Sequence, residues 1–177
     1  MSSQSKFPTI SQLESTWIEK TYNGGLMYCN PQTEFIQSYS YDRNSFYPDV
    51  MGNAENEFFI PDVEGYETTL DELPNSKNLM FGFYHVTISS ENPDCKKIFA
   101  FNHDKNVYNW YDMKTAMTNK KKYGFKIKLI HDGEPNAYVY DSYVKSSDVF
   151  GKWYEVLSKL KVKFPKNKLI KCLGSSL

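Results

Sequence analysis

Hydrophobic and polar positions change period along this chain, and the changes mark out its elements. Residues 34–41 alternate in part and are rich in aromatics, which predicts a strand delivering Asp42 at its end. Turn formers follow, and then Pro48, whose missing N–H and fixed φ forbid a continuing central strand but suit the start of a helix. Residues 55–77 are acidic and interrupted by Pro61, Gly65 and Pro74, so irregular chain is expected, with one short helical turn at 69–73. Segments 79–88 and 97–101 are strand-like, and the turn material at 92–94 makes a hairpin of them. A short helix is expected at 110–121. At 124–130 lysine alternates with apolar residues as in a half-exposed strand, Asp132-Gly133 turns the chain, and 137–140 form an aromatic strand. Phe150, Trp153, Tyr154 and Leu157 recur at helical spacing, Pro165 ends that helix, and 166–177 begin another. The fold class is therefore α+β. Residues 1–6 form a short solvated start, the one segment expected to be disordered.

Composition narrows the picture little. A chain of 177 residues with 40% hydrophobic residues and 21 basic against 21 acidic side chains is a folded protein whose net charge predicts no partner. The distribution of charge is more informative. From Asp42 to Glu72 there are nine carboxylates and one cation, Arg43; from Lys114 to Lys128 six lysines and no acid; from Lys152 to Lys171 seven lysines against Glu155. One end suits a metal and the other phosphate, although each run also fits an ordinary solvated face. Cys29, Cys95 and Cys172 are far apart and odd in number, which suggests reduced thiols in an intracellular setting rather than a zinc pair. No apolar stretch approaches a membrane span and no secretory signal core opens the chain, so neither a membrane nor export is expected.

Chemistry concentrates in a few places. Asp42, a carboxylate at a strand terminus beside a tight turn, can face a divalent ion while neighbouring backbone N–H groups face phosphate oxygens. It is half a site, because two-metal phosphoryl transfer needs further carboxylates and Asp49, Glu55 and Glu57 do not repeat its context. Lys168 and Lys171 lie three apart on one helical face, where compact ammonium groups suit a triphosphate. Tyr22, Gly24 and Gly25 fall in a run whose adjacent glycines allow close approach of a nucleic-acid backbone, or simply a turn. His85, His103 and His131 have no ligand spacing.

Taken together, these residues resemble a known pattern. Asp42, Asn44, Ser45, Phe46, Tyr47 and Pro48 are similar to motif A of family B DNA polymerases, D-x-N-S-L-Y-P, with phenylalanine in place of leucine. Lys171, Ser175 and Ser176 resemble the start of motif B, K-x-x-x-N-S-x-Y-G, with Ser175 where asparagine usually stands. Tyr22, Gly24 and Gly25 match the Y-x-G-G element of the protein-primed branch. The gap of about 130 residues between Asp42 and Lys171 also resembles that branch, in which a primer-protein-binding insertion separates palm from fingers.

The resemblance implies a partial palm at 1–56, an inserted small α+β subdomain at 57–147 and partial helical fingers at 148–177. It implies that Asp42 is catalytic and binds Mg2+ or Mn2+, and that Asn44, Ser45 and Phe46 receive the triphosphate through their backbone. Tyr47 would lie beneath the sugar as a steric gate, while Lys159, Lys171 and Ser175 would bind the nucleotide. Tyr22, Gly24, Gly25 and Lys168 would contact DNA. Partners would be a DNA template-primer, deoxynucleoside triphosphates, a terminal priming protein and the remaining parts of the polymerase; the setting would be a host cytoplasm, virus factory or organelle. Motif C is expected beyond Leu177 and no exonuclease carboxylates precede Tyr22, so the chain alone is expected to show little or no polymerase activity. The alternative from a different class is a non-catalytic domain that holds DNA or a primer protein with its basic segments.

Overall fold

The computed structural model describes residues 8–22, 46–92, 98–99 and 104–174. They form a mixed α+β structure in two compact units, one comprising Met1–Tyr28 with Pro61–Tyr143, the other Cys29–Ile60 with Val144–Leu177.

The first unit is organised around one long strand. In chain order it holds α1 (Gln12–Thr21), β2 (Tyr66–Thr68), β3 (Phe81–Ser90), β4 (Val107–Asn109), α3 (Trp110–Thr118), α4 (Lys120–Tyr123), β5 (Phe125–Leu129) and β6 (Ala137–Tyr140). The five-stranded sheet is antiparallel, ordered β2-β6-β3-β4, with β5 paired to the far half of β3. Registers Val86↔Leu129 and Tyr84↔Ala137 set β5 and β6 end to end along the same strand, and His85 bridges the break by bonding Asn136 O and Ile130 N. Gly82 is required here, because a Cβ would lie 2.1 Å from the carbonyl oxygen of Tyr138.

Alternation along β3 builds the core. Tyr84, Val86 and Ile88 turn inward against Phe99, Tyr108, Met113, Phe125 and Val139, while Thr87 and Ser89 face outward beside Lys128 and Lys126. The buried hydroxyls find acceptors, Tyr108 Oη donating to Phe99 O at 2.9 Å and Tyr84 Oη to Met80 O at 2.5 Å. Asn136, fully buried, accepts from Leu70 N at 2.8 Å and donates to Leu70 O at 3.0 Å. That clamp explains why 69–73 is bent chain and not the expected helical turn: the side chain of Asn136 serves as a strand-like partner for Leu70. The expected strand at 97–101 is likewise not seen at Ile98 and Phe99, which lie in a turn that drops Phe99 into the core.

Helix α1, capped by Ser11 accepting from Glu14 N, explains the grouping of the N-terminal segment. Its buried residues are Glu14 and Trp17. Tyr140 Oη donates to Glu14 Oε1 at 2.6 Å, and Trp17 Nε1 donates to Glu67 Oε1 at 2.8 Å. Burial, reinforced by the Glu14 carboxylate, pushes the Tyr140 phenol far above its ordinary range, so it stays a donor.

The second unit contains α2 (Phe46–Gly52), α5 (Ser146–Lys163) and α6 (Lys168–Leu173). Strands β1 (Phe59–Pro61) and β7 (Tyr143–Lys145) pair in a two-stranded sheet. No helix among the described residues is long and apolar enough to cross a membrane.

Candidate nucleotide site

Pro48 sits in the first turn of α2, where its lack of an N–H removes nothing the helix uses. At seven residues α2 is too short to persist on its own, so its place is set by packing against α5. The two helices approach at glycines. A Cβ on Gly52 would stand 2.1 Å from Tyr154 Cβ, and one on Gly151 would stand 3.6 Å from Gly52 O. Around this crossing, Tyr154 Oη donates to Asp49 Oδ1 at 2.8 Å and Asn53 Nδ2 donates to the same oxygen at 3.1 Å. Asn56 Nδ2 bonds Asp49 O at 2.8 Å, and Ser146 bonds Phe58 O through its N–H and Met51 O through its hydroxyl. Asp49 thus holds one of its carboxylate oxygens in a structural network.

Tyr47 takes no part in that network. Tyr47 is 76% exposed and meets Phe46 edge to face at a centroid distance of 5.5 Å. Of the other residues proposed around motif A, Asp42, Asn44 and Ser45 lie outside the described residues, as do Gly24, Gly25 and Ser175. Among the described residues no group of three or more His, Cys, Asp or Glu is arranged to hold a metal ion.

The basic candidates sit on α5 and α6. Lys159 is exposed and paired with Glu155 one turn earlier, which holds the Glu155 carboxyl below the usual carboxylate range. Pro165 lies just past α5, and Asn167 caps α6 by accepting from Leu169 N at 2.9 Å and Ile170 N at 3.4 Å. Ile170 anchors α6 inward, leaving Lys168 and Lys171 exposed. An open groove of about 510 Å3 is lined by Gly52, Asn53, Asp148, Tyr154, Glu155 and Lys159 among others. So Phe46, Tyr47, Lys159, Lys168 and Lys171 share one compact unit although more than a hundred residues of chain separate the two groups.

Tyr22 belongs to the other unit. It follows α1, is 74% exposed, and bonds Ile18 O through its N–H at 2.9 Å; Lys105 Nζ donates to the carbonyls of Glu19 and Tyr22. Within the lysine-rich run of that unit, Lys114 is held by Ser76 O and stacks over Trp110, and Lys126 pairs with Glu91, whereas Lys120, Lys121 and Lys128 are exposed.

Sequence reasoning missed the Asp49–Tyr154–Asn53 network. Tyr154 reads as one more member of an aromatic stripe, and only the spacing of Asp49 and Asn53, four apart on one helical face, hinted at a shared task. No protein-family model matches the chain, and neither curated proteins nor solved structures yield a match. The class that the structure itself defines is a mixed α+β chain of two compact units.

Proposed function

We propose that this chain is a piece of a protein-primed family B DNA polymerase, with a palm segment carrying motif A, an α+β insertion, and a fingers segment carrying the start of motif B. The observation that carries the reading is the motif A run itself: its Tyr47 is exposed on an anchored helix, in the same unit as Lys159 and Lys171. In such an enzyme Asp42 would hold Mg2+ or Mn2+, which would neutralise charge on the triphosphate. Asn44, Ser45 and Phe46 would offer backbone N–H groups to phosphate oxygens, Lys159 and Lys171 would add positive charge from the helices, and Tyr47 would close the space beneath C2′ of the sugar. Template-primer DNA would reach Tyr22, Gly24, Gly25 and Lys168.

A divalent-ion titration tests it. Mn2+ binding, followed by electron paramagnetic resonance with dATP present, is expected to be specific in the native chain and lost in Asp42→Asn. Equal binding by both would count against a catalytic ancestry for this aspartate and favour the alternative, a binding domain that uses exposed lysines such as Lys120, Lys121 and Lys128.

A further inference from the structure

Successive helical residues are about 100° apart, so Tyr47 and Asp49, two positions apart, project from nearly opposite sides of α2. On one side Asp49 is fixed by the hydroxyl of Tyr154 and the amide of Asn53; on the other the ring of Tyr47 is open to solvent. The direction in which Tyr47 points is therefore inherited from how α2 is rotated against α5. Gly52 permits the close approach of the helices but, having no side chain, supplies little resistance to rotation about the α2 axis. Two hydrogen bonds from α5 supply it, Ser146 to Met51 O at the C-terminal end of α2 and Tyr154 to the Asp49 side chain nearer Tyr47.

We infer that Asp49 and Tyr154 are positioning residues that set the rotation of α2, and through it the sugar selectivity of Tyr47. The inference rests on the polymerase reading of Tyr47. With side chains reaching about 5–6 Å from a helix axis, a rotation of about 10° carries the ring by about 1 Å, and displacements of that size at a reacting site change rates by large factors. A gate that detects one hydroxyl group is sensitive on the same scale.

The test uses the 177-residue chain with Mn2+ and measures binding of radiolabelled dATP and ATP by equilibrium dialysis. The native chain is expected to prefer dATP, and Tyr47→Val to lose that preference. Tyr154→Phe keeps the ring on Gly52 and removes only the donor; it should lower the dATP preference about three- to tenfold, the effect of one lost hydrogen bond, while dATP affinity changes less than about twofold. Asp49→Ala should do the same, and Asp49→Asn should restore the preference, since its amide oxygen still accepts from Tyr154. A general loss of folding would lower affinity for both nucleotides and would not be rescued selectively by asparagine. Should Asp49→Ala not fold, Tyr154→Phe and Asp49→Asn carry the test alone. If Tyr47→Val abolishes the preference while Tyr154→Phe leaves it untouched, the positioning role is overturned and the polymerase reading stands. If the native chain shows no preference, or Tyr47→Val does not alter it, the gate reading is overturned and the positioning role falls with it.

Discussion

Replacing Gly52 by alanine asks the structure for space it does not have. The new methyl would lie 2.1 Å from Tyr154 Cβ, 2.8 Å from Tyr154 Cγ and 3.2 Å from Phe150 O. The nearest of these atoms is attached directly to the α5 backbone, so rotating the Tyr154 side chain cannot move it away. Helix α2 must lift by more than 1 Å, roughly the difference between 2.1 Å and ordinary carbon contact. Overpacking of this kind costs about 1–3 kcal/mol, and the shift also strains the Tyr154–Asp49 bond, whose loss adds about 1 kcal/mol. The intrinsic helical gain of alanine over glycine, at most about 1 kcal/mol, offsets part of it. A net loss of about 1.5–3 kcal/mol should raise amide exchange in the peptides covering α2 and α5 by about tenfold to a hundredfold. Because the chain has two units, exchange is read separately in each, and β3 should be unaffected. The clash has a specific signature: Tyr154→Ala should leave much of the Gly52→Ala penalty in place, since Cβ remains, whereas Tyr154→Gly should remove most of it. A penalty below about 0.5 kcal/mol, or full relief by Tyr154→Ala, would refute the close crossing.

Three other outcomes follow, the first from the proposed function and the other two from named contacts. Lys171→Ala should weaken dATP·Mn2+ binding about tenfold to a hundredfold, the effect of a charge-assisted hydrogen bond of about 1.5–3 kcal/mol, with folding unchanged by circular dichroism; weaker DNA binding with unaltered nucleotide affinity would make the lysines a strand-binding surface instead. Tyr140→Phe leaves the buried Glu14 carboxylate without the donor at 2.6 Å and should destabilise the first unit by about 1–3 kcal/mol, measured as faster exchange in α1 and β6. Burial lowers the pKa of His85 below 6.5, against the opposing pull of Asp132, so the unfolded chain binds the proton more readily; first-unit stability should be full above 6.5, fall as pH drops through that value toward the lowered one, and show a smaller pH dependence in His85→Gln.

The elements legible in the sequence were those with a sustained period. Alternation marked β5, aromatic content marked β6, and the aromatic stripe of Phe150, Trp153, Tyr154 and Leu157 marked α5, because packing against one face imposes the spacing of β5 and α5. Strands β1, β2, β4 and β7 have three residues each, too few for alternation to register. Helix α1 escaped notice because one of its buried residues is Glu14, whose partner Tyr140 is 126 positions away; no local pattern encodes that pairing. Likewise Asn136 looks like turn material until its two bonds to Leu70 are seen. At the candidate site the sequence supplied the motif resemblance and the lysine face of α6, both local signals. The support for Tyr47 was hidden, because Tyr154 serves with its ring against Gly52 and with its hydroxyl toward Asp49, and hydropathy registers only the first.

The most direct measurement of the central claim is photocrosslinking with radiolabelled 8-azido-dATP and Mn2+, followed by mapping of the labelled peptides. The polymerase account predicts label in the peptides spanning 42–51 and 159–174, displaced by unlabelled dATP and by EDTA, and lost in Asp42→Asn. Label concentrated at Lys120, Lys121 and Lys128, or label that neither dATP nor EDTA displaces, would contradict it.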